Sequence, residues 1–88
     1  MLNKKPSTRF LKDIKLAKKR KFNIQKLEKI IALLCENSEL PKQCRPHLLS
    51  GNWANFWECH IESDWVLIYQ ITEEDLELAR TGTHSDLF

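Results

Sequence analysis

Apolar residues change their spacing near residue 53, dividing this chain into a helical half and a sheet-forming half. Phe10, Ile14 and Ala17, with Leu11 alongside, recur at helical spacing and predict a buried stripe on a first helix. Ser7 or Thr8 offers an N-cap oxygen, so that helix begins near Thr8. Ahead of it, residues 2–5 predict a short strand stopped by Pro6. Leu27, Ile30, Ile31 and Leu34 give an apolar face to a second helix, from Ile24 to Asn37, with Asn23 as its cap. The short link between them implies a helical hairpin docked on something flat. Residues 38–52 contain Pro41 and Pro46, follow neither period, and read as loop.

From Trp53 the period becomes two. Residues 54–61 alternate, with Phe56, Glu58 and His60 on one face and Trp57, Cys59 and Ile61 on the other. Ser63-Asp64 turns the chain. Trp65 to Ile71 is almost continuously apolar, the mark of a central strand covered on both faces. Thr72 to Asp75 makes an acidic turn, and Leu76, Leu78 and Arg80 then alternate with Glu77, Ala79 and Thr81 in a strand ending at Gly82. The expected fold class is α+β: a two-helix hairpin on a small antiparallel sheet, as one domain over residues 1–88.

Composition narrows the class. A chain of 88 residues with 42% apolar and 30% charged residues has the balance of a globular domain rather than a disordered one. The apolar run Trp65 to Tyr69 is far too short to cross a bilayer, and no apolar stretch follows the basic start MLNKKPSTRF, so no secretory signal is expected. Cytoplasmic placement is expected. Cys35, Cys44 and Cys59 lack a disulfide-framework spacing and are expected to be reduced small hydrophobes.

The net charge of +2 hides an asymmetry. Residues 1–35 carry eleven Lys/Arg against Asp13 and Glu28, a net +9, whereas residues 58–88 carry Arg80 against eight Asp/Glu, a net −7. A basic block draws nucleic acid by releasing condensed counterions, although most lysine runs are only solvated helix faces. Lys15, Lys18 and Lys19 on the first helix, with Arg80, are the candidate RNA-contacting cations.

What tilts the balance towards RNA is histidine. His47, His60 and His84 all fall in the second half, with Asp64 four residues beyond His60. His60 and Asp64 flank one turn, the final strand returns His84 towards that end, and the loop carrying His47 can reach it. Histidine takes and gives protons near neutrality. Metal-free RNA cleavage through the 2′-hydroxyl needs a base, an acid and positive charge against the phosphate. Singly, each residue has a structural reading: His84 as a solvated tail residue, His60 as a half-buried strand histidine, His47 as a loop anchor and Asp64 as a turn former. Trp53, Trp57 and Trp65 read as core or sheet cover. The coincidence of His47, His60, His84 and Asp64 at one sheet end favours chemistry. Zinc is not expected, because Cys59 and His60 point to opposite faces and no Cys-x-x-Cys or His-x₃-His spacing exists.

The stretches His47-Leu-Leu-Ser-Gly-Asn-Trp53, Cys59-His60-Ile-Glu-Ser-Asp64-Trp65-Val-Leu-Ile-Tyr69 and Arg80-Thr-Gly-Thr-His84-Ser-Asp-Leu-Phe88 resemble the YafQ branch of the RelE toxins, across essentially the whole chain. The resemblance implies a type II toxin with a compact RelE-like fold, helices against a curved antiparallel sheet. It also implies an endoribonuclease that cuts mRNA in the ribosomal A site and is silenced by a cognate antitoxin. It implies a site of His47, His60, Asp64, His84 and the terminal aromatic Phe88, with His84 as general acid, Asp64 or His47 as base, and His60 orienting or stabilising charge. No metal, cofactor or membrane is implied. The rival expectation is a non-catalytic module of the same fold that binds nucleic acid or antitoxin through its basic helices.

Overall fold

Both helices begin at their capping side chains. Ser7 Oγ accepts the Phe10 N–H at 3.0 Å and Asn23 Oδ1 accepts that of Lys26 at 3.3 Å. In the computed structural model, which describes residues 1–88, α1 spans Thr8–Lys19 and α2 spans Ile24–Cys35. Phe10 and Ala17 are buried and Ile14 half-buried, but Leu11 is 52% exposed. The stripe is narrower than its spacing predicts because α1 rests mainly on one strand, β5 (Asp75–Gly82). α2 stops short of Asn37, which adopts left-handed backbone (φ 56°) and closes the helix.

The other strands are β1 (Asn3–Pro6), β2 (His47–Leu48), β3 (Trp57–Glu62) and β4 (Trp65–Ile71). They form one sheet in the order β1-β5-β4-β3-β2. β2 to β5 are antiparallel, whereas β1 joins the edge parallel to β5, so the sheet is mixed. Pro6 pairs as the last residue of β1 instead of stopping the strand before it, which an edge strand permits. Residues 38–52 are not plain loop. They hold a single 3₁₀ turn, Lys42–Cys44, the two-residue β2 and the start of a second 3₁₀ turn, Gly51–Trp53, all too short to leave a periodic signal. β3 starts at Trp57 rather than residue 54, because Asn55 is left-handed (φ 74°) and interrupts the extended backbone.

The helices cover one sheet face. Leu27, Ile31 and Leu34 of α2 share a core with Cys59, Leu67 and Leu76 from the sheet. Val66 and Ile68 are equally buried, but they alternate to the opposite face beside their cross-strand partners His60 and Glu58. That two-sided burial explains the unbroken apolar run of β4. All three cysteines are free and buried, and burial pushes the Cys59 thiol up to about 12, which keeps it inert as a nucleophile. No helix is long and apolar enough to cross a membrane.

β1 pairs with β5 only as far as Leu78, and side chains satisfy the bare edge beyond it. Ser7 Oγ donates to the Ala79 carbonyl at 2.8 Å. Asp13 accepts the Thr81 N–H at 3.1 Å and holds Arg80 through Nε and Nη2 at 2.7 and 3.0 Å. A bulge leaves Ala79 without a partner, so Leu78 opposes Tyr69 towards the core while Arg80 opposes Ile68 on the other face. Strict alternation had placed Leu78 and Arg80 on the same side; the extra residue separates them.

Candidate active site

The histidine cluster is built on the sheet face away from the helices. Cross-strand pairing places His47 directly opposite Glu58, with His47 Nε2 3.3 Å from Glu58 Oε1. The same carboxylate oxygen lies 3.5 Å from His84 Nε2. Beyond Gly82 the chain enters a short turn of helix, α3 (His84–Leu87), capped by Thr83, and this turn presents His84 to the sheet. Asp64, in the β3–β4 turn, accepts from the His84 backbone N–H at 3.4 Å and meets its ring Nδ1 at 3.3 Å.

His60 lies on the Glu58 face of β3, its ring centroid 5.8 Å from that of His84. Its Nδ1 is buried without a hydrogen-bond partner. Phe88 also stacks on His84, 5.8 Å between centroids and 29° from parallel. His47, His60, Asp64, His84 and Phe88 therefore come together as one cluster.

Glu58 joins them, although in the sequence it is only one polar position of an alternating strand. Its side chain is only 5% exposed, whereas His47 and His84 are about half exposed. The available signal was its position two residues before His60 on the same strand face. What concealed the contact was β2, whose two residues give no pattern.

Hydrogen-bond chemistry constrains the protons. The Arg45 carbonyl can only accept, so His47 Nδ1, 3.1 Å away, donates to it. That leaves His47 Nε2 against a carboxylate oxygen, a favourable contact when one proton lies between them. His84 has a carboxylate at each ring nitrogen, an arrangement complementary to an imidazolium with two N–H donors.

The cations are placed differently from the histidines. Lys15, Lys18 and Lys19 are exposed on α1 and form no ion pair, and no contact ties them to the cluster. Arg80 is only 13% exposed and is engaged by Asp13. No group of three or more His, Cys, Asp or Glu side chains is arranged to hold a metal ion. Nor is any surface cavity lined by His47, His60 or His84.

A sequence model of the family described as "Bacterial toxin of type II toxin-antitoxin system, YafQ" matches residues 2–88. The chain belongs to the YafQ family. The mRNA interferase toxin YafQ of Escherichia coli (strain K12) is 42% identical over 83 residues, covering 93% of this chain and 90% of that protein. The YafQ toxin in the E. coli DinJ-YafQ toxin-antitoxin complex superimposes with a TM-score of 0.91 at 40% identity, covering 99% of this chain and 97% of that one. A metal-bound toxin from Helicobacter pylori is similar throughout both chains, with a TM-score of 0.94 and 38% identity. The YafQ family thus accounts for the whole chain, including the helical hairpin and the turn that carries His84.

Proposed function

We propose that this YafQ family member is an mRNA interferase that cleaves RNA by metal-independent acid-base chemistry at the His47–Glu58–His84–Asp64 cluster. The single observation that carries the reading is the position of His84. Its ring is held between two carboxylates with Phe88 against one face, so a proton donor is fixed at an open surface. The paired His47 and Glu58 take the proton of the 2′-hydroxyl. The freed oxygen bonds to the adjacent phosphorus as the bond to the 5′-oxygen breaks, and His84 protonates that leaving oxygen. The products are a 2′,3′-cyclic phosphate and a 5′-hydroxyl end. Each proton transfer contributes about 10²–10⁴ in rate.

Asp64 acts as a positioning group, because both of its contacts to His84 involve the acid itself. The proton-accepting role therefore falls to His47 with Glu58. His60 lies beside His84 and faces the phosphate charge that builds during attack. The cluster is open and shapes no cavity for a base, which suits a substrate positioned by something larger, and we infer that this is the ribosome with mRNA in its A site. The exposed lysines of α1 supply charge for that surface. A cognate antitoxin protein, counterpart of DinJ, is the proposed partner, and the bacterial cytoplasm the proposed compartment.

The test is expression of wild type and His84→Ala in bacteria, with growth curves and primer extension on translated mRNA. Wild type alone should arrest growth and cut within codons. A chelator selective for transition metals, which spares ribosomal magnesium, should leave cleavage by the purified protein unchanged. Equal cutting by both proteins removes His84 from the mechanism. Soluble, folded protein that neither arrests growth nor cuts would instead be a binding module.

A further inference from the structure

The turn that carries His84 is weakly anchored. No residue of α3 is fully buried, Leu87 is half-buried, and beyond its own cap and the contacts of His84 its side-chain hydrogen bonds to the rest of the chain come down to one ion pair. Arg20 grips Asp86 through two bonds, Nη1 to Oδ2 at 2.7 Å and Nη2 to Oδ1 at 3.3 Å. The same Asp86 carboxylate accepts the Thr83 N–H at 3.0 Å, while Thr83 Oγ1 accepts the Asp86 N–H at 3.2 Å. This capping box fixes the backbone immediately before His84.

Arg20 is itself set in place from the core. It caps α1, and its guanidinium lies over the Phe22 ring, 6.0 Å from the centroid. Phe22 packs on Trp65 at 5.0 Å, and Trp65 Nε1 donates to Thr81 Oγ1 at 2.8 Å. Gly82 lets the turn fold back closely, since a Cβ there would stand 3.1 Å from Asp86 Oδ2. A continuous series of contacts thus runs from the core to the start of α3.

We propose that Arg20 and Asp86 form a positioning clamp that holds the terminal turn so that His84 stays registered against Asp64 and Glu58. Neither residue touches the histidine cluster's reacting surface; both act through the backbone of residues 83–86. Bidentate geometry matters here, because two parallel bonds fix the angle of the turn as well as its distance. The inference rests on the role of His84 proposed above.

The experiment compares wild type, Arg20→Gln, Asp86→Asn, the double variant, Arg20→Lys and His84→Gln in cleavage of mRNA on purified programmed ribosomes. Backbone amide NMR spectra of the free proteins accompany the kinetics. An ion pair of this exposure sets the docked population of the turn, so kcat should fall roughly three- to tenfold in either single variant. KM for ribosomes should stay within about twofold, since the clamp does not contribute to binding. The double variant should be no slower than the slower single one, Arg20→Lys should recover part of the loss, and the His84 amide signal should shift or broaden in both singles. A loss confined to KM, unchanged kcat in both singles, or an unmoved His84 amide overturns the clamp. If His84→Gln cleaves as fast as wild type, the acid assignment fails instead, and the amide spectra still decide whether the clamp exists.

Discussion

Asp13→Ala should be among the most destabilising changes outside the hydrophobic core. Asp13 accepts three hydrogen bonds, two from Arg80 and one from the Thr81 N–H, across the edge of β5 that β1 leaves uncovered. The paired side chains are 13% and 11% exposed. Removing one member of a buried pair costs about 3–5 kcal/mol, and the residual exposure puts this pair near the lower end, at roughly 3 kcal/mol. The Thr81 N–H left without an acceptor adds about 1 kcal/mol. The sum, roughly 4 kcal/mol, is a large part of the ~4–13 kcal/mol expected of a chain of 88 residues.

At ~4–8 °C per kcal/mol for a domain this size, Tm should drop by roughly 15–30 °C. Urea unfolding followed by tryptophan fluorescence is the assay, because Trp65 is 3% exposed and bonded to Thr81, next to the lesion. A His84→Gln background avoids toxicity during expression. The double variant Asp13→Ala/Arg80→Met discards both charges and should recover all but about 1–2 kcal/mol. A single variant that loses less than about 1 kcal/mol, or a double variant as unstable as the single, would refute the reasoning.

The remaining expectations concern the site and its supports. Glu58→Gln keeps the shape but removes the buried charge; cleavage should fall ~10–100-fold while Tm holds or rises, because a buried carboxylate is costly to the fold. Parallel loss of stability would contradict that separation. Arg20 holds the Asp86 carboxyl down to about 2, below its ordinary value of 3.8. A depressed carboxylate stabilises the fold above about pH 4 and loses that contribution as pH falls towards 2. Because Arg20 is 39% exposed, the contribution is discounted to ~1 kcal/mol. Asp86→Asn should thus be less stable than wild type at pH 7, and urea titrations should show the gap closing between about pH 4 and pH 2; a constant gap would contradict the linkage. Phe88 is 60% exposed, so Phe88→Ala should change stability by no more than ~0.5 kcal/mol. Without its stacking on His84, cleavage should fall about three- to tenfold, and an unchanged rate would remove Phe88 from the site.

Local pattern determined much of this protein. Ser7 and Asn23 mark the helix starts through oxygens that reach only three residues along the chain, and the apolar run from Trp65 to Ile71 marks a strand buried on both faces. The gathering of His47, His60, Asp64 and His84 at one sheet end was legible because hairpin connectivity constrains where strand ends lie. Motif resemblance supplied the family and Phe88.

Tertiary structure decided what depends on partners distant in sequence. The parallel addition of β1 links residues more than seventy positions apart, as does the Ser7 bond to Ala79. Asp13 and Arg80, both legible as charges, became partners only because β1 ends early and exposes the edge of β5. The two-residue β2 placed His47 against Glu58, so a glutamate that read as one polar residue in an alternating strand became the buried carboxylate between two imidazoles. A periodicity is a property of one segment and survives in the sequence. A register, a bulge or an ion pair exists only when two segments meet, and the sequence of neither contains it alone.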